Sequence, residues 1–159
     1  MTTYPTQPTG DNSIDLNNIF ASNSTSKIIM STEEILNGYN NDGETALHLA
    51  TIKNHTQSVK ILLAAFADVN VVNNFGNTSL HNAINAGNPA IVHMLVQAKS
   101  QVNVQNKKGN TPLHLAAKKG ALSLVQFLVN HGSDTAILNN LQERAFDMTT
   151  DEQIKSWLL

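Results

Sequence analysis

The sequence predicts an all-α repeat solenoid, and three observations predict it. Glycines fall at Gly43, Gly76 and Gly109, each 33 residues after the last. Short apolar stretches at helical spacing follow each glycine in pairs. Asn40, Asn73, Asn106 and Asn139 stand at the same interval ahead of them. A fixed period of this length marks a chain built of one supersecondary unit repeated and stacked.

The register holds at many positions. Thr45, Thr78 and Thr111 follow the glycines, then Leu47, Leu80 and Leu113, then His48, His81 and His114. Each glycine suits a turn with positive φ, which a residue without Cβ adopts cheaply. Each threonine can cap the helix behind it, and Pro112 suits a first helical turn. Leu47, Leu80 and Leu113 open the apolar face of a short first helix. Ala50, Ala83 and Ala116 are small enough for neighbouring helices to approach. A second helix is read from Val59-Lys60-Ile61-Leu62-Leu63, from Ile91 to Val96 and from Leu124 to Val129. Asn88-Pro89 is a cap followed by a first-turn proline. The stretch from Val69 to Gly76, with its equivalents, is expected to project as a hairpin.

The runs Gly43-Glu44-Thr45-Ala46-Leu47-His48-Leu49-Ala50 and Gly109-Asn110-Thr111-Pro112-Leu113-His114-Leu115-Ala116-Ala117 resemble the signature of the ankyrin repeat family. The middle copy departs from it, with Ser79 for proline and Asn82 for leucine. The resemblance implies an ankyrin stack, helix-turn-helix units joined by β-hairpin loops. It divides the chain into a flexible arm over 1–13 and a single repeat domain over 14–159. Within that domain, 14–39 is a degenerate capping repeat, 40–72, 73–105 and 106–138 are full repeats, and 139–159 is a truncated cap. In the cap Gln142, Arg144, Phe146 and Asp147 stand at the glycine, threonine, leucine and histidine positions, and Trp157 is expected to cover the end of the core. In the N-terminal segment Ile28, Ile29 and Met30 fall one period before Ile61, Leu62 and Leu63, but Asn17 and Asn18 fall where alanines are expected. The other reading of that segment is a disordered arm with one short helix near Thr32–Leu36.

Composition narrows the chemistry. A net charge of −2 gives no global attraction to nucleic acid or anionic lipid, and neither is expected as a partner. Aromatic residues make up 5% of the chain, which argues against a base-stacking surface or a deep cofactor cavity. There is no cysteine, hence no disulfide frame, thiol nucleophile or thiolate zinc site. No secretory signal or membrane span is legible, so a cytoplasmic location is expected, with the nucleus or delivery into a host cell as variants.

The histidines of the repeat are about one helix-packing distance apart, roughly 8–10 Å, too far to share a metal with ~2 Å bonds. In the family this histidine ties loop to helix by hydrogen bonds, and that role is expected here. No phosphate loop, nucleophile elbow or HExxH pattern appears, so no cofactor, no metal and no enzymatic activity are expected. Asparagine hydroxylases that act on ankyrin repeats favour a leucine eight residues before an Asn that follows an acidic and an aliphatic residue. Leu62 with Asp68-Val69-Asn70 resembles this, making Asn70 a hydroxylation candidate. The alternative is that Asn70 stabilises the turn through its own backbone.

The resemblance further implies binding through hairpin tips and the exposed side of the first helices, a concave face. The positions are Asp42, Glu44, Ile52 and Lys53 in the first repeat, and Phe75, Asn77 and Asn85 in the second. The third supplies Lys107, Lys108, Asn110, Lys118 and Lys119, and the cap supplies Leu141. Phe75 and Ile52 are expected to form an apolar anchor while the four lysines attract an acidic stretch of a protein partner. The lysines could equally serve solubility. The expected function is a monomeric protein–protein interaction module that binds, masks or scaffolds its partner. Alternatives are a bacterial or viral effector inhibiting a host protein, such as a mimic of NF-κB inhibitors, or a regulatory subunit or assembly chaperone.

Overall fold

The computed structural model describes residues 32–159, with side chains from Glu34 onward. The expected arm over 1–13 lies outside the described residues, as do residues 14–31 of the capping segment, Ile28, Ile29 and Met30 among them. Eight α-helices follow among the described residues: α1 Thr32–Asn37, α2 Ala46–Ile52, α3 Thr56–Ala64, α4 Ser79–Ala86, α5 Pro89–Gln97, α6 Pro112–Lys118, α7 Leu122–Asn130 and α8 Glu152–Leu158. A 3₁₀ turn over Ala145–Met148 takes the first-helix place in the last unit. The architecture is an all-α repeat solenoid.

The first helices α2, α4 and α6 pack in series and end on the 3₁₀ turn, while each second helix packs on the first helix of its own unit. Leu47, Leu80 and Leu113 are wholly or almost wholly buried between them, each contributing about 1.5–3 kcal/mol of transfer free energy. Ala50, Ala83 and Ala116 are buried at the same interface, where a larger side chain would hold the helices apart. Asn88 caps α5 as its type predicts, its Oδ1 accepting the N–H groups of Ala90 and Ile91 at 3.0 and 3.2 Å.

The connections are tighter than the hairpins expected. Among the described residues there is no strand, and one isolated bridge joins Tyr39 to Thr45. Each loop closes on two backbone bonds, as where Gly76 N–H donates to Asn73 O at 2.8 Å and Asn73 N–H to Asn77 O at 3.0 Å. The paired arms are one residue long, too short for a ladder.

The two ends differ from the middle. Only Val59 of α3 is fully buried, whereas α5 buries Ile91, Val92, Leu95 and Val96. At the other end Ile154 and Leu158 are buried and Trp157 is 40% exposed. The expected lid is therefore formed by the i, i+4 pair Ile154 and Leu158, one helical face, and Trp157 lies off that face. α1 covers the place of the single short helix in the second reading of the N-terminal segment; one period later, residues 65–70 form a turn. Asn37 keeps the repeat frame all the same. Its Oδ1 accepts the Asp68 N–H at 2.9 Å, as Asn70 does from Gln101 at 2.8 Å and Asn103 from Asp134 at 2.9 Å.

Candidate functional site

Every hairpin root is organised by one asparagine. Asn40, Asn73, Asn106 and Asn139 each accept two backbone N–H bonds on Oδ1, from the residues two and four further on, at 2.9–3.1 Å. Their amide nitrogens can then reach the preceding unit. Asn106 donates to Asn77 Oδ1 at 2.9 Å and Asn139 to Asn110 Oδ1 at 3.0 Å. The hairpins are thereby fixed side by side, with Lys107 N–H donating to Phe75 O at 3.0 Å and Asn140 N–H to Lys108 O at 3.1 Å.

The histidines form the second layer of this frame. Nδ1 of His48, His81 and His114 accepts the N–H of Thr45, Thr78 and Thr111 at 3.1–3.2 Å. A ring nitrogen that accepts carries no proton, so Nε2 holds it and donates to the carbonyl of Asn77, Asn110 or Glu143 in the next unit, at 3.0–3.1 Å. This arrangement needs the neutral ring, and burial disfavours the charged one. Burial lowers the pKa of all three, against the bonds to the next unit's carbonyls, which raise it. His81 falls to about 4. Glu44 beside His48 and Glu143 beside His114 partly offset the effect there, while His48 pushes His81 further down. Among the described residues no group of His, Cys, Asp or Glu is placed to hold a metal ion.

With the roots fixed, the tips and helix ends enclose a groove of about 560 Å³ between the second and third repeats. Lys107 and Lys108 come from the hairpin, Lys118 and Lys119 from the end of α6, Phe75 from the preceding tip and Asn85 from the end of α4. Lys118 and Lys119 lie at the negative end of the α6 dipole, which favours cations there. Leu115 and Asn106 complete the lining, and no carboxylate belongs to it. Ion pairs among the described residues are confined to Arg144–Asp147 and Lys155–Glu152 in the C-terminal unit, so none of the four lysines is neutralised by an ion pair.

Of the residues singled out from the sequence, Phe75, Asn77, Asn85, Lys107, Lys108, Asn110, Lys118 and Lys119 meet in this groove. Asp42, Glu44, Ile52, Lys53 and Leu141 do not line it. Ile52 is exposed at the end of α2, away from the groove lining, and the apolar companion of Phe75 in the groove is Leu115 instead. Asn77 and Asn110 belong to its wall rather than to its free surface, since each carboxamide oxygen holds the next root asparagine and Asn110 is 8% exposed. Leu115 and Asn106 went unnamed because a search for exposed polar tips passes over half-buried residues; their frame positions are the signal that could have found them. Asn70 is half-buried, and its Oδ1 holds the Gln101 N–H, a bond that a hydroxylase would have to break.

A family model described as ankyrin repeats, in three copies, matches residues 19–106 and again 65–139. No curated protein matches the chain.

Proposed function

Because the chain belongs to the ankyrin-repeat family, whose repeats are generally protein–protein interaction modules, we propose that it binds an acidic segment of a protein partner in the groove between the second and third repeats. One observation carries this reading: four lysines without ion pairs and the exposed ring of Phe75 surround a single groove that no carboxylate lines. Phe75, 59% exposed, and Leu115 supply the apolar contact, and the lysines supply attraction and orientation. The result of binding is to mask or scaffold the partner. No helix among the described residues is long and apolar enough to cross a membrane.

The test is fluorescence anisotropy with a labelled peptide library of Asp, Glu, Leu and Gly, on wild type and a variant with Lys107, Lys108, Lys118 and Lys119 all changed to Glu. Exposed ion pairs are worth roughly 0.5–1 kcal/mol each, so losing four lowers affinity on the order of 30- to 1000-fold. Binding by wild type should weaken with added salt, and the melting temperature of the variant should match wild type. Equal binding by the two proteins sinks the proposal. So does a single-stranded oligonucleotide that outcompetes the peptides.

A further inference from the structure

The frame places leucine at Leu49 in α2 and Leu115 in α6, and at the same position α4 carries Asn82. Leu115 lines the groove. Asn82, one unit earlier in the same row, is 7% exposed, and its Nδ2 is buried with no hydrogen-bond partner. Such a donor has lost its water and gained nothing in exchange, a condition native structures largely avoid. Leucine, with the same number of side-chain atoms and a closely similar shape, would leave nothing unpaired. The other two unpaired buried groups, Ser100 Oγ and Ser133 Oγ, share a different frame position behind the second helices, outside the groove lining.

We propose that Asn82 is a specificity-determining residue of the groove, whose carboxamide pairs with a main-chain peptide group of an extended acidic segment seated between α4 and α6. The proposal rests on the groove reading above. A primary amide offers the same donor and acceptor as a peptide group, so it recognises main chain whatever side chains the segment carries. An extended segment has both groups to offer; a helical one has spent them within itself. Turning Nδ2 toward the groove breaks no bond, because it makes none. The lysines then select for acidic charge, and Asn82 selects for extended backbone.

The test adds Asn82→Leu and Asn82→Ala to the anisotropy measurement, using the tightest-binding labelled acidic peptide from the library. Asn82→Leu is expected to melt a few degrees higher than wild type and to bind about tenfold more weakly. Its salt dependence should stay that of wild type, since the charged contacts remain. The four-lysine variant should lose both binding and salt dependence. If Asn82→Leu binds as tightly as wild type while the lysine variant does not, the groove stands and the role of Asn82 falls. If both Asn82 variants melt well below wild type, the amide is structural and the proposal is overturned. If the lysine variant binds like wild type, the groove reading itself fails and takes this one with it.

Discussion

At the hairpin roots Asn73, Asn106 and Asn139 are almost buried, and each spends its Oδ1 on two backbone N–H groups. Two residues on, at the tips, Asp42, Phe75, Lys108 and Leu141 are exposed and share no chemistry. The root side chain meets the same partners in every unit, so one residue type serves every time. The tip meets solvent, and its identity is free to follow a ligand. Asn40 shows where the constraint comes from. It makes the same two backbone bonds but is exposed, because no preceding unit among the described residues covers it. Repetition in this chain marks what holds the stack together, and variation marks what the stack presents.

Acid should break the roots and spare the tips, and it is the largest effect expected. His48, His81 and His114 have lowered pKa values when folded, so the unfolded chain binds more protons as the pH drops. Their contribution is complete above the unfolded value of 6.5 and is lost as the pH falls; for His81 the loss runs down to about 4. At about 1.4 kcal/mol per unit, His81 alone accounts for roughly 3 kcal/mol. Urea denaturation at pH 7.5 and pH 4.5 should therefore show a lower midpoint at the acid value. Equal midpoints would mean that the neutral histidine layer does not stabilise the stack.

Two glycines sharpen the contrast between a root and an open turn. Gly109, at φ +75°, has the next hairpin against it, and a Cβ there would meet Asn140 N and Oδ1 at 2.5 Å. Gly120, at φ +68°, has nothing within 4 Å of the same added atom. Gly120→Ala should cost about 1 kcal/mol of left-handed strain. Gly109→Ala adds an overpacking cost against backbone, for a total of roughly 2–4 kcal/mol. Denaturation of the two variants side by side measures the difference, and equal losses would mean that the hairpins yield rather than clash.

The sequence made the frame legible because identical residues recur wherever identical contacts recur. Thr45, His48 and Leu47 could be assigned roles from their copies alone. Helix α5 was legible from Asn88-Pro89 and the apolar run behind it. What stayed hidden depends on relations between units. Asn77 and Asn110 look like tip residues within one repeat, and only the root asparagine 29 residues later turns their side chains inward. Trp157 looked like a lid by size, but helical phase decided the matter for Ile154 and Leu158. In the groove, the charged and aromatic lining was readable from tip positions, because tips are exposed in any stack. Leu115, half-buried, carried no such mark. Asn82 was visible only as a departure, and its unpaired nitrogen required coordinates.

The smallest effect tests a root that lost its repeat residue. Gln142 stands where the earlier units have Gly43, Gly76 and Gly109, and it holds the same left-handed conformation at φ +63°. A glutamine with its Cβ is strained there, by about 1 kcal/mol, while glycine is not. The earlier units cannot accept a side chain at this position, since a Cβ at Gly76 would meet Lys107 N at 2.8 Å. In the last unit no further hairpin packs on the turn, so the strain is the only cost and the chain has tolerated it. Gln142→Gly should relieve it, and the greater freedom of glycine when unfolded offsets part of the gain. The net expectation is a stabilisation of roughly 0.5 kcal/mol, a rise of a few degrees in melting temperature, with peptide binding in the groove unchanged. A lower melting temperature would show that the Gln142 side chain makes a contact worth more than the strain, and that the last root is held together differently from the three before it.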